Sequence, residues 1–250
     1  MKIESLSAGY HKKQIIRSVS IEVAKGEIIS LIGPNGGGKS TLLKTISGEL
    51  QIISGSVFLG KSDIRTIPLK ELARKMSILN TERVRPEHMS AMDVVLSGRL
   101  PYSDGLGLFG EQDRETAKKA SELMGITDFA TKDFITLSDG QKQRTLIARA
   151  ICQEPDYLIM DEPTSYLDIK HRLELMEVIK KIASEQITVI MSLHELDLAL
   201  QISDRVLLIK EDGSTLCEKP SVVLKSGIIK ELYDLSEDMY RKVEKQLSVI

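Results

Sequence analysis

Glu27-Ile28-Ile29-Ser30-Leu31-Ile32 runs directly into Gly33-Pro34-Asn35-Gly36-Gly37-Gly38-Lys39-Ser40-Thr41, and the reading of this junction decides the fold. The first six residues are a short β-rich apolar run that reads as a strand. The next nine match G-x-x-x-x-G-K-[ST], and Lys39 to Ser47 continues as a helical pattern. Between a strand and a helix, such a loop cradles a polyphosphate. Its glycines turn amide hydrogens inward, where side chains would block the approach. Lys39 is then expected to pair with β- and γ-phosphates and the Ser40 hydroxyl to ligate Mg²⁺, with the helix start favouring the negative charge. The candidate binding residues are Gly33, Asn35, Gly36, Gly37, Gly38, Lys39, Ser40 and Thr41. Taken alone the motif specifies only a nucleoside triphosphate. A flexible glycine turn that binds nothing is the alternative, and the flanking strand and helix argue against it.

Outward from this junction the same punctuation repeats. Ile3 to Leu6, Ser18 to Val23, Ser56 to Leu59, Met76 to Leu79, Tyr157 to Met160, Thr188 to Met191 and Val206 to Ile209 also read as strands. Gln141 to Cys152, Ile169 to Glu185 and Glu195 to Ser203 read as helices. The alternation predicts an α/β fold, a P-loop NTPase core with a mostly parallel sheet, and an antiparallel β subdomain near the amino end. From about Pro86 to Phe134 the strand signal disappears. Met92 to Ser97 and Asp113 to Met124 read there as helices joined by the turn Asp104-Gly105-Leu106-Gly107. The organisation expected is therefore a single domain over 1–250: a nucleotide-binding core of 1–85 and 136–212, a helical subdomain of 86–135, and a C-terminal extension of 213–250 in which nothing resembles a site.

The strand Tyr157 to Met160 ends in Asp161-Glu162. Ligands gather at strand ends beside a phosphate loop in parallel sheets. Asp161 is suited to hold Mg²⁺, directly or through water, while Glu162 polarises the attacking water. An acidic turn closing a buried strand is the plainer explanation of an isolated pair, and it loses weight because the glycine cradle is present.

Bulk composition excludes other classes. Lys and Arg total 34 against 36 Asp and Glu, a formal charge of -2, so no global field gathers nucleic acid and none is expected as a partner. Cys152 and Cys217 form no C-x-x-C pair, which suits a reducing compartment better than a disulfide framework or zinc site. The amino terminus lacks the order of a secretory signal. No apolar run approaches the roughly 18–20 residues of a spanning helix, so transport would need a pore made by other chains.

Leu137-Ser138-Asp139-Gly140-Gln141 resembles the signature loop of ATP-binding cassette proteins, at that family's interval before Asp161. Ser165-Tyr166-Leu167-Asp168 is similar to its D-loop. His194, in Ser192-Leu193-His194-Glu195, falls at the switch histidine, and Tyr10, taken as lying ahead of the first strand pair, resembles the aromatic that stacks on adenine. Singly, each has a plain structural reading: a packed tyrosine, a structural histidine, a helix cap at Ser138. Their joint order around the nucleotide loop favours the family. The resemblance implies an ATPase that uses ATP and Mg²⁺ and works as a homodimer. Ser138, Gly140 and Gln141 would face the γ-phosphate held by the other subunit. Asp168 would link the two sites, and Glu162, His194 and Lys39 would be the catalytic residues.

Three positions depart from the family pattern. Gly37 stands where a small side chain is common, which leaves amide geometry unharmed. Asp139 replaces the first signature glycine, so its carboxylate must avoid the γ-phosphate. Thr81 stands where a glutamine touching Mg²⁺ and water belongs; its hydroxyl, or Glu82 beside it, is the substitute. Gly98-Arg99-Leu100-Pro101-Tyr102 and His194-Glu195-Leu196-Asp197-Leu198-Ala199 resemble the subgroup that powers import of iron-siderophore, haem or cobalamin. That implies two integral membrane permease subunits, an indirect substrate-binding protein, and a peripheral position on the cytoplasmic face of the inner (cell) membrane. The alternatives are a soluble cassette ATPase, for example in iron-sulfur cluster assembly, an importer of another substrate, or an exporter subunit.

Overall fold

The chain opens as a long antiparallel pair, β1 (Lys2–Tyr10) and β2 (Lys13–Glu22), with register shifts that let a continuous ladder bend. The computed structural model describes residues 1–11, 13–80, 86–103 and 108–247. It resolves into two units, Met1–Ile67 with Thr188–Ile250, and Pro68–Ile187. In the first unit, β3 (Ile28–Ile32) is buried throughout and leads to α1 (Lys39–Ile46). β4 (Ser54–Leu59) and β5 (Ser62–Asp63) complete an antiparallel sheet in the order β2-β1-β4-β5. Gly55 lies at φ +82°, and a Cβ there would sit 2.4 Å from the carbonyl oxygens of Glu4 and Ser5. The crossing of β4 over the β1 bulge therefore needs glycine.

The second unit begins with α2 (Leu69–Lys75), and β6 (Met76–Leu79) follows it without a loop. α2 shows no helical stripe in the sequence because it buries only Leu72. α3 (Ala91–Leu96) starts on a capping box between Ser90 and Asp93, and a 3₁₀ turn, Ser97–Tyr102, extends it. α4 (Glu111–Leu123) and α3 both pack on α5 (Asp139–Cys152). Buried Ala91, Ala117, Ala120 and Ala148 keep the three helices close. β7 (Tyr157–Asp161) pairs parallel with β6, and α6 (Ile169–Ser184) follows. α3 and α4 flank Asp104–Gly107, where a turn is expected and which lies outside the described residues.

The chain then returns to the first unit. β8 (Thr188–Ser192) pairs parallel with one edge of β3. After α7 (Leu196–Ile202), β9 (Arg205–Ile209) pairs parallel with the other. Paired on both edges and buried at every position, β3 reads in sequence as a nearly continuous apolar run. Its one polar residue, Ser30, is fully buried and bonds to the Ser203 hydroxyl at 2.6 Å. β10 (Thr215–Glu218) joins β9 antiparallel, and α8 (Pro220–Lys225), α9 (Ile228–Leu232) and α10 (Glu237–Leu247) end the described chain. All the strands expected from the apolar runs form.

Candidate nucleotide site

In the first unit β3 delivers the chain into the glycine loop. The Gly37 amide donates to the Pro34 carbonyl at 3.1 Å, and Gly36 and Gly38 take positive φ, +76° and +100°. Around Gly36 there is open space, but a Cβ on Gly38 would lie 2.7 Å from side-chain carbons of both Ile15 and Ile16. Gly38→Ala is thus both strained and crowded. Its nucleotide affinity is expected to fall about 5- to 150-fold, since roughly 1–3 kcal/mol of backbone strain falls on the binding loop. Titration with a non-hydrolysable ATP analogue checks this, and an unchanged Kd would show that the loop conformation is irrelevant to binding.

Lys39 is only 6% exposed, and its Nζ donates to the Gly33 and Pro34 carbonyls at 2.8 and 3.1 Å. The ammonium therefore sits inside the loop it serves. The first turn of α1 carries no acidic residue, so nothing there offsets the positive end of its dipole. Ser40 is half-buried, Thr41 buried, and Asn35 and Gly36 exposed. Leu31 of β3 is paired with Ser192 of β8. His194, exposed two residues beyond that strand, therefore lies past the same end of the parallel pair as the loop. Tyr10 requires a correction: it is the last residue of β1, paired with Lys13 across the hairpin and 42% exposed, not ahead of the strand pair. β1 runs past its apolar start through Ser7, Ala8 and Gly9, small residues that are buried without forming an apolar run.

The second unit carries the acidic strand end. Asp161 closes β7 and is buried, whereas Glu162 is half-buried with φ +50°. The next turn folds back on Glu162: the Ser165 amide donates to its carbonyl at 3.1 Å and the Ser165 hydroxyl to its Oε2 at 3.3 Å. Ser138 is the exposed N-cap of α5, in a capping box with Gln141. Asp139 is exposed in the first turn, where a carboxylate suits the helix dipole. Asp168 caps α6, accepting from the His171 amide at 2.9 Å and meeting the His171 ring nitrogen at 2.8 Å. The backbone bond first, and the ring second, hold its carboxyl below the ordinary aspartate range.

Residues 16–165 match the family described as ABC transporter. The chain belongs to that family. Among its relatives, the ABC transporter ATP-binding protein MJ0873 of Methanocaldococcus jannaschii is 41% identical over 97% of this chain and 84% of its own length. The iron(3+)-hydroxamate import ATP-binding protein FhuC of Bacillus subtilis is 34% identical over 96% of this chain and 89% of its own. The ATP-binding cassette MJ0796, solved as a dimer in a post-hydrolysis state with ADP and Pi, superposes at a TM-score of 0.77 with 25% identity, over 88% of this chain and 98% of that one. This cassette is accordingly an ATPase.

Within the cassette the structure also shows contacts that motif spacing does not reveal. Gln143, one turn into α5, donates through Nε2 to the Pro163 carbonyl at 3.0 Å. A Cβ on Gly140 would lie 3.2 Å from the Tyr166 carbonyl oxygen. α5 is therefore seated on the backbone of the turn between Glu162 and Asp168. The close approach that Gly140 makes within this chain is to that turn. A bond to a backbone carbonyl leaves no mark on the partner's residue type, so neither contact is visible in the sequence. Thr81 and Glu82 lie outside the described residues.

Proposed function

We propose that this chain is the ATP-hydrolysing subunit of an importer of an iron chelate (siderophore or haem) or cobalamin. It acts as a homodimer on two membrane permease subunits at the cytoplasmic face of the inner membrane, while a substrate-binding protein serves the permease. The observation that carries this reading is near full-length similarity to an iron(3+)-hydroxamate import ATP-binding protein, 96% of this chain. Among the described residues no helix is long and apolar enough to cross a membrane. Leu69, Leu100 and Leu108 of the second unit are 82%, 51% and 67% exposed. Leu69 and Leu100 stand on α2 and the Ser97–Tyr102 turn, which pack together, and apolar exposure on adjoining elements supports a docked protein partner.

In this reading Gly33, Asn35 and Gly36 to Thr41 hold the phosphates and Tyr10 stacks on the base. Glu162 accepts the proton of the attacking water, oriented by His194. Ser138, Gly140 and Gln141 complete the site of a second copy, and Asp168 connects the two. Tyr166, whose carbonyl lies against Gly140, and Ile169 and Leu173 of α6 carry exposed apolar side chains that support a self-complementary face. Ser40 and Asp161, with Thr81, would hold Mg²⁺. Their hard oxygens suit that ion, a metal that keeps water and phosphate ligands. When bound, Mg²⁺ neutralises charge on the β- and γ-oxygens.

The test is reconstitution with a many-helix permease of the iron-chelate or cobalamin type and its binding protein. ATPase activity should rise with permease and loaded binding protein, and vesicles should take up ferric siderophore, haem or cobalamin. Uptake of none of the three, with an ATPase rate indifferent to the permease, would overturn the assignment.

A further inference from the structure

Arg99 is an unusual arginine: it is 6% exposed, on a short 3₁₀ turn within a helical insert. Its Nε donates to Asp113 Oδ1 at 3.0 Å, and its Nη1 donates to Glu154 Oε2 at 2.8 Å and to the Cys152 carbonyl at 3.0 Å. Its guanidinium carbon lies 4.0 Å from the centre of the Tyr102 ring. Asp113 also caps α4, accepting from the Gly110 amide at 3.0 Å. The Arg99 bond holds its carboxyl below the usual range. Cys152 is the last residue of α5, so Arg99 supplies a donor and a positive charge to the carbonyl end of that helix.

The rest of the turn is pressed on the same place. A Cβ on Gly98 would lie 2.3 Å from the Arg149 carbonyl oxygen, and Arg149 Nε donates to the Ser97 hydroxyl at 3.1 Å. On the other side, α2 holds the turn through Arg74 Nε to the Pro101 carbonyl at 2.9 Å and Lys70 Nζ to the Ser103 carbonyl at 3.0 Å. Gln153, just past α5, donates to the Met76 carbonyl at 2.8 Å at the start of β6, the strand that leads to Thr81. The segment Ser97–Tyr102 is thus bolted to one end of α5. Ser138 opens the other end, 14 helical residues or about 21 Å away.

We propose that Arg99 is a positioning residue that locks the Ser97–Tyr102 segment to the carbonyl end of α5, so that displacement of the insert is transmitted along the helix to Ser138. This rests on the reading that the insert meets a permease. The clamp needs a planar fork with separate donors for Asp113 and Cys152 and a flat face for Tyr102, which a lysine ammonium cannot supply.

The test uses the intact chain assembled with its permease and compares wild type, Arg99→Lys and Asp113→Asn. Asp113→Asn keeps an oxygen for the Gly110 amide. Three quantities are measured: basal ATPase of the cassette alone, permease-stimulated ATPase, and the thermal midpoint. Expected are basal rates within about twofold of wild type and stimulation reduced about fivefold or more in both variants, a loss of coupling free energy of the usual size. Undiminished stimulation overturns the proposal. So does a parallel fall of basal rate, stimulated rate and midpoint, because that is the signature of a structural role only. Wild-type protein indifferent to the permease would instead overturn the transport reading itself.

Discussion

Glu162→Gln is expected to bind ATP and fail to hydrolyse it, with turnover lowered about 10²- to 10⁴-fold, the usual contribution of a positioned general base. The amide keeps the size of the carboxylate and can still accept from the Ser165 hydroxyl, which lies 3.3 Å from Oε2. It cannot take a proton from water. The backbone at Glu162 sits at φ +50°, a conformation costing a non-glycine residue roughly 1–2 kcal/mol. That conformation is held by the Ser165 amide bond and, one residue on, by Gln143 at Pro163, so the substitution leaves the turn intact. Since closure of two copies and nucleotide binding share one free energy, blocked hydrolysis should also accumulate an ATP-bound dimer. Single-turnover kinetics and size-exclusion chromatography read the two effects. Normal hydrolysis by the variant would move the base to another residue.

Lys39→Ala should be comparably severe by a different route. Its ammonium is buried in the loop and donates to the Gly33 and Pro34 carbonyls. Alanine removes both the loop's internal donor and the cation offered to the phosphates. Charge-assisted bonds to phosphate are about twice as strong as neutral ones, and loss of one donor to developing charge costs about 10²- to 10³-fold in turnover. Calorimetric titration with nucleotide should show weakened binding, and steady-state ATPase should be nearly lost. Wild-type affinity in this variant would reduce the glycine loop to a structural turn.

The two variants separate the proposed roles by unit. Lys39 belongs to the part of the chain that holds β3, β8 and His194, and Glu162 to the part that holds α5, β7 and Asp168. A binding defect with Lys39→Ala and a hydrolysis defect with binding retained for Glu162→Gln would place capture and chemistry on different segments.

Much of this protein was legible in the residues because the constraints are local. Ile28 to Ile32 reads as a buried strand from its own side chains, and positive φ at Gly36 and Gly38 is a demand that glycine meets by itself. Ser138 and Asp168 announce helix starts by their side chains alone. One short, weakly periodic piece escaped: α2 buries a single leucine and so carries no stripe.

The sequence by itself determined the order of strand, glycine loop and helix, the acidic strand end, and hence the family, because each depends on neighbours along the chain. Only the tertiary structure decided that Tyr10 closes a hairpin, that Gln143 and Gly140 rest on the turn after Glu162, and that Arg99 ties Asp113, Cys152 and Glu154 together. Those contacts run largely to backbone carbonyls or join residues distant in sequence. A carbonyl is the same in every residue, so nothing in the letters marks which one will be met.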